Sequence, residues 1–238
     1  MSTALTPNGH RDLFHAHDLY GIFATLFRDG YFLTNIGETS DELLQQIARF
    51  FGTAWHEDAA VMTIEKKEDP RFVGHSDGLI EAHNECAYAP RPPRLLALYC
   101  VENEAENGAF FVVDPVALMP AIGQHYLPSL RKARYACQVT RDVAPVETTL
   151  MRQTALGERI VFSSIGGAAG ASIYSLTSPT DAHSASLVPH LNTVLNDPAN
   201  RRTHRWQRGD FLVIDNLRLM HGREAFSGRR ILRHLRLR

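Results

Sequence analysis

Apolar residues follow a helical spacing near the N-terminus and a strand-like spacing in the rest of the chain. Residues from about 10 to 28 carry apolar side chains at helical intervals, which indicates a helix. GYFLTNIG then has the pattern of a short strand. A second helix is predicted from Thr39 to about Phe51. Thr39 and the serine after it can cap the start of a helix, and acidic residues follow them. We therefore expect a helical region at about 10–55 that packs on the remaining chain.

From about residue 61 onward, short apolar runs are interrupted by proline and glycine. The clearest runs are residues 94–100, 109–114, 159–164 and 210–216, followed by a last alternating stretch, ILRHLRLR. No regular alternation of strands with helices is visible, so a parallel α/β fold is not predicted. The pattern predicts a mostly β protein with flanking helices, built as two packed sheets or a barrel. The glycine-rich segment 164–170 is predicted to be a loop near the mouth of the site.

Composition and charge narrow the class of protein. The chain has 238 residues, of which 44% are hydrophobic and 21% charged, values of an ordinary globular protein. This length fits one domain, and we take residues 1–238 as a single domain. The net charge of −1 provides no field that would attract nucleic acid or an anionic membrane. No signal peptide is visible, and no apolar run approaches the roughly 20 residues that cross a bilayer, so we expect a cytoplasmic protein without a membrane partner.

The cysteines argue against two kinds of site. The chain has three of them, an odd number, and none has the CxxC spacing. A disulfide framework and a thiolate zinc site are therefore both disfavoured, and a reducing compartment is indicated.

A possible metal site is indicated by two separate histidine segments. In an extended chain, residues two apart point to the same side, so His83 and Glu85 can hold one cation together. His221 follows the strongly predicted strand at 210–216. Two imidazoles and one carboxylate leave three positions open on an octahedral ion, as iron(II) oxygenases require, whereas zinc hydrolases usually leave one. The chain has twelve histidines, so His83 and Glu85 alone are a weak signal. The signal is strengthened because the strand at 210–216, the turn after it and His221 form one continuous segment.

Four segments, in this order, resemble the TauD/TfdA family of 2-oxoglutarate-dependent dioxygenases. They are HNECAY, PRLLALYCVENEAENGAFFVVD, WQRGDFLVIDNLRLMHGR and RRILR, while residues of about 120–200 match only loosely. Within the family the chain is similar to the clavaminate-synthase-like branch, which has glutamate in place of aspartate. The resemblance implies a double-stranded β-helix (jelly-roll) core and Fe(II) held by His83, Glu85 and His221. It also implies that 2-oxoglutarate and O2 are the co-substrates and that 2-oxoglutarate chelates the metal.

The resemblance further implies that an arginine after the second histidine anchors the distal carboxylate of 2-oxoglutarate, and Arg230 has that position. A guanidinium suits this role because it can form two parallel charged hydrogen bonds. Strand alternation would place His234 on the same face as Arg230, and Arg233 on the opposite face. The resemblance implies that the residue at this position lies near the substrate, so His234 is the candidate substrate contact. The alternative for this arginine-rich tail is a solvated edge strand whose charges block aggregation.

One position departs from the family pattern. The family's GGxT segment usually offers a threonine hydroxyl to the same carboxylate, and Phe110 stands in its place here. Phenylalanine has no hydrogen-bond donor. Either another group substitutes for the hydroxyl, or the co-substrate binds differently or more weakly.

The leading hypothesis is an oxygenase that hydroxylates an unactivated C–H bond of a small polar metabolite or natural-product intermediate. Desaturation or cyclisation would use the same residues, whereas Glu85 argues against a halogenase, which lacks this carboxylate. The other hypotheses are a catalytically silent jelly-roll module that binds a small molecule or partner, and a zinc hydrolase. The partner is expected to be a small-molecule substrate, and the oligomeric state stays open.

Overall fold

The computed structural model describes residues 3–5, 16–55, 61–70, 73–138, 144–154, 156–165 and 173–238. The α-helices of this part of the chain are α1 Ala16–Asp29, α2 Asp41–Arg49, α3 Met119–Ile122, α4 Leu127–Lys132 and α5 Ser184–Asn196. Its strands are β1 Thr3–Ala4, β2 Tyr31–Asn35, β3 Met62–Glu65, β4 Ile80–His83, β5 Leu95–Asn103, β6 Glu106–Asn107, β7 Phe110–Val113, β8 Arg134–Gln138, β9 Val146–Thr148, β10 Met151–Thr154, β11 Gly157–Ile160, β12 Ile173–Ser178, β13 Arg202–His204, β14 Asp210–Asp215, β15 Met220–Arg223, β16 Phe226–Ser227 and β17 Arg230–Leu237. No helix among these residues is both long enough and apolar enough to span a membrane.

Two five-stranded sheets form the centre of the fold. The first sheet has the order β1-β13-β7-β15-β4, and the second has the order β2-β14-β5-β17-β3. Neighbouring strands run antiparallel, except for the parallel pair of β1 and β13. Strands β8, β9 and β12 form a smaller sheet, and β10 with β11 and β6 with β16 form two-stranded pairs.

Most central strands are buried on both faces, which explains why the sequence reads as continuous apolar runs. In β14, Leu212 and Ile214 point into the layer between the sheets, whereas Phe211 and Val213 pack with residues of α1 and α2 on the outer face. The first sheet has the same arrangement, and Phe111 of β7 packs outward into the cluster that includes α5. The result is a layered molecule whose polar site must lie between the sheets, at one end of a largely apolar interior.

The mostly β architecture with flanking helices is confirmed, and so is the second helix, where the Ser40 side chain accepts a hydrogen bond from Leu43 N at 3.2 Å. The strand predicted at 159–164 is wrong in its second half, since β11 ends at Ile160. Val161 N still donates to the Leu150 carbonyl beside β10, and residues 162–164 then bond to the β4 segment instead. Helix α5 was not predicted, because it contains Pro189 and begins without a capping side chain. Residues 10–15 of the first predicted helix and 166–170 of the predicted loop lie outside the described residues.

Gly222, between His221 and Arg223 in β15, is the residue that allows the first sheet to pack closely. A Cβ at this position would lie 2.3 Å from Phe111 Cζ and 2.5 Å from the Ile80 carbonyl oxygen. The backbone oxygen cannot move without disturbing the pairing of β4 with β15. Only glycine fits here without displacing its neighbours.

We expect Gly222→Ala to lower the free energy of unfolding by about 1–3 kcal/mol, the usual cost of overpacking a core. Urea unfolding followed by circular dichroism measures this change. The matched control is Gly21→Ala in α1, where an added Cβ meets nothing within 4 Å and alanine favours the helix. Equal stability of the two variants would contradict the packing argument.

Candidate metal centre

The three candidate ligands come together because β4 and β15 are neighbours. In this antiparallel pair His221 lies directly opposite His83, and the two ring centroids are 4.2 Å apart. Glu85 follows β4, with its Oε2 atom 3.7 Å from His83 Nε2. One ligand atom from each of the three side chains lies within 4.8 Å of the other two. The structure therefore gathers His83, Glu85 and His221 at one point.

Two asparagines hold this arrangement in place. Asn84 points away from the site, where its Nδ2 donates to the Asn216 carbonyl at 2.5 Å and its Oδ1 accepts from Phe162 N at 2.9 Å. Asn216 reaches back, accepting from Glu85 N at 2.7 Å and donating to the Glu85 carbonyl at 3.2 Å and to the Pro93 carbonyl at 2.9 Å. The backbone of Glu85 is thus bonded at both its N–H and its carbonyl by one side chain.

The hydrogen bonding and burial of the two histidines suit metal binding. His83 Nδ1 lies 2.9 Å from the Glu81 carbonyl, which only accepts, so Nδ1 carries a proton and Nε2 is the nitrogen that faces Glu85. Burial lowers the pKa of His221 well below its ordinary value, and the nearby His83 acts in the same direction. His221 Nδ1 is buried and has no hydrogen-bond partner within the described residues. His221 is therefore a neutral imidazole, the form that coordinates a metal.

The two oxygens of Glu85 have different partners. Oε1 forms an ion pair with Arg236 Nη2, whereas Oε2 faces His83. Burial alone would raise the pKa of Glu85, but the neighbouring His83, His234 and Arg236 outweigh it and hold the pKa well below the usual range. The carboxylate is ionised and presents one oxygen to the site. Two imidazoles and one carboxylate fit a divalent iron with open positions.

Strand β17 of the second sheet forms the opposite side of a cavity next to this cluster. Arg230 and His234 are each 4% exposed and line this cavity, as alternation along the strand predicted. Arg233 points outward, where its Nε lies 2.8 Å from Asp41 Oδ1. The walls are mainly apolar, with contributions from Ile64, Leu98, Phe110, Ile165, Trp206 and Leu232.

The side chains at the two predicted binding positions differ in charge. Arg230 Nη1 donates to the Gly108 carbonyl at 3.0 Å, and its guanidinium lies 4.3 Å from the Phe226 ring centroid. Burial lowers the pKa of His234 to about 4, so this imidazole is neutral at physiological pH. Its Nε2 is buried without a partner in the part of the chain that the structure describes. His234 thus offers a neutral donor or acceptor to the cavity, not a positive charge.

Sequence reasoning assigned no role to Asn84, Asn216, Arg223 or Arg236. The signal for Arg236 was present, because it shares the inward face of β17 with Arg230 and His234 at intervals of two. Asn84 carried a weaker signal, as a polar residue at a position that alternation directs away from the cavity. Phe110, the departure from the family pattern, packs against the site, with its ring stacked on that of His221 at 5.9 Å.

Comparison with known proteins agrees with this geometry. The sequence model of the taurine catabolism dioxygenase TauD, TfdA family matches residues 23–237. The chain is 28% identical over 194 residues to tyrosine isonitrile desaturase of Pseudomonas aeruginosa. The match covers 74% of this chain and 64% of that protein, so this chain spans less than two thirds of the relative's length. The crystal structure of PvcB from Pseudomonas aeruginosa matches with a TM-score of 0.70 at 20% identity, covering 98% of this chain and 83% of that one. AAD-2 in complex with Mn(II) and N-oxalylglycine matches with a TM-score of 0.75 at 15% identity, covering 99% and 95%. The structural matches confirm the expected jelly-roll fold.

We expect Asn216→Ala to weaken Mn(II) binding by about 10–100-fold, because groups that orient a ligand from behind typically contribute that much. The substitution removes the bonds that fix the Glu85 backbone while leaving every candidate ligand in place. Isothermal titration with Mn(II) measures the dissociation constant. The matched control is Asn200→Ala, whose side chain bonds to the Val194 carbonyl away from the cavity. An unchanged dissociation constant for Asn216→Ala would show that the hydrogen bonds of Asn216 to the Glu85 backbone do not support the site.

Proposed function

The chain belongs to the taurine catabolism dioxygenase TauD, TfdA family, and on that premise we propose that it is an Fe(II)- and 2-oxoglutarate-dependent dioxygenase. The observation that carries the proposal is the convergence of His83, Glu85 and His221 within 4.8 Å. This cluster borders a cavity that contains the buried Arg230. A silent binding module would have no need for two imidazoles and an ionised carboxylate at one point.

Each group has a defined task in this proposal. His83, Glu85 and His221 hold the metal on one side and leave the other side for 2-oxoglutarate and O2. When bound, iron(II) supplies the activation of O2 that converts 2-oxoglutarate to succinate and removes hydrogen from a C–H bond. Arg230 binds the distal carboxylate of 2-oxoglutarate. His234 contacts the substrate with a neutral imidazole, and the apolar walls exclude water and hold the hydrocarbon that reacts.

The substrate is proposed to be a small metabolite or natural-product intermediate, and hydroxylation is the leading outcome. Desaturation is the second candidate, and it is supported by the relative named tyrosine isonitrile desaturase. Mass spectrometry of a substrate that stimulates succinate release distinguishes the two outcomes. Hydroxylation adds one oxygen atom to the product, whereas desaturation removes two hydrogen atoms.

We expect the protein to develop a metal-to-ligand charge-transfer band when iron(II) and 2-oxoglutarate are added without O2, and to release succinate when O2 is admitted. Alanine at His83, Glu85 or His221 should abolish both signals while the circular dichroism spectrum stays that of the wild type. Succinate formation at the wild-type rate by any of the three variants would refute the ligand assignment. A wild-type protein that turns over a substrate with zinc and without O2 would instead be a hydrolase.

We expect Arg230→Ala to raise the 2-oxoglutarate concentration needed for half-maximal succinate release by more than about tenfold, since a lost charged partner of a buried carboxylate costs about 2–5 kcal/mol. The matched control is Arg233→Ala in the same strand, which removes an outward arginine paired with Asp41 and should leave that concentration nearly unchanged. The opposite ranking of the two variants would contradict the assignment of Arg230.

A further inference from the structure

A second buried arginine lines the cavity and is used by none of the roles above. Arg223 lies two residues beyond His221 in β15, so both side chains emerge from the same face of the first sheet. It is 4% exposed and lines the same cavity as Arg230. Its Nη2 donates to the Ser76 carbonyl at 2.9 Å, while its Nε and Nη1 are buried and have no partner among the described residues.

Arg223 and Arg230 place two positive charges close together in an apolar setting. Both guanidinium groups lie over the Phe226 ring, at 4.6 Å and 4.3 Å from its centroid. Arginine is not deprotonated in proteins, so both guanidinium groups are positively charged.

Neither guanidinium has a carboxylate partner within the described residues. The charge of Asp77 reaches Arg223, but its carboxylate is half-exposed and pairs with Lys66 at 2.6 Å. Buried charges without a partner are strongly destabilising, and two of the same sign more so. A cavity that keeps both arginines therefore points to an anion that fills the space between the two sheets.

The position of Arg223 relative to Phe110 shows which part of an anion it would reach. The two residues lie directly opposite each other in the pairing of β15 with β7, where side chains on one face are about 4.5–5.5 Å apart at Cβ. Phe110 has no donor, so Arg223 supplies the hydrogen-bonding capacity at this place on the first sheet. Arg230 approaches from the second sheet, next to Gly108 in the turn that precedes β7.

We propose that Arg223 and Arg230 together form a two-armed site for the distal carboxylate of a 2-oxo dicarboxylate, with one arm from each sheet. Arg223 provides the donor that Phe110 lacks, through the nitrogens that have no partner among the described residues. This inference rests on the proposed function, because 2-oxoglutarate is the co-substrate of the proposed dioxygenase.

Ligand binding to the Mn(II)-loaded protein tests the two arms without turnover. Isothermal titration compares 2-oxoglutarate with 2-oxopentanoate, which has a methyl group in place of the distal carboxylate. We expect Arg223→Gln and Arg230→Gln each to raise the dissociation constant of 2-oxoglutarate by about tenfold or more, and to change that of 2-oxopentanoate by less than about twofold. Arg233→Gln is the matched control and should change neither constant.

The results separate the inference from the proposed function. If Arg223→Gln leaves 2-oxoglutarate binding unchanged while Arg230→Gln weakens it, Arg223 does not bind the distal carboxylate and the inference is wrong. The dioxygenase proposal would still stand. If Arg223→Gln weakens both ligands equally, it acts through the metal site or the fold, and the inference is again overturned. If the wild type does not prefer 2-oxoglutarate over 2-oxopentanoate, the co-substrate assignment fails as well.

Discussion

The site depends first on the register between β4 and β15, because only this register sets His83 opposite His221. A slip of one residue would turn every side chain of β4 to the other face of the sheet and direct His83 away from the cavity. Asn84 and Asn216 prevent the slip, since their amides bond to one another's segments and to the backbone of Glu85. An amide that is buried must keep its partners, so the alternative register would leave several polar groups unsatisfied. The polar residue between His83 and Glu85 therefore fixes the geometry of both.

The second constraint is that the two sheets contribute different chemistry to one cavity. The first sheet carries His83, His221 and Arg223, and the second carries Arg230 and His234. Helices and the smaller sheet cover the outer faces, so the layer between the sheets stays largely apolar and electrostatic interactions in it are strong. In such a layer burial affects the charge of a histidine and of an arginine differently. Burial lowers the pKa of His221 and of His234, so these imidazoles are neutral, while the guanidinium groups of Arg223 and Arg230 keep their charge.

The sequence predicted those features that depend on local periodicity. Buried strands such as β14 were visible as apolar runs, and α2 was visible through its cap at Ser40. The inward face of β17 followed from alternation once Arg230 was assigned. Helix α5 lacked these signals, because it has no capping side chain and contains Pro189. The support of the site was not predictable at all, since Asn84 meets the carbonyl of a residue 132 positions away, and no local pattern specifies such a contact.

Strand β17 carries both an arginine that lines the cavity and an arginine that pairs with Glu85. Its inward face carries Arg230, His234 and Arg236 in that order, and Arg236 pairs with one oxygen of Glu85. A strand advances about 3.4 Å per residue, so Arg230 and Arg236 are separated by roughly 20 Å along it. Arg230 lines the cavity, whereas Arg236 pairs with Glu85. The guanidinium of Arg236 pairs with Oε1 of Glu85, so Oε2 is the oxygen left to face His83. The strand that carries Arg230 therefore also orients the carboxylate of the candidate metal centre.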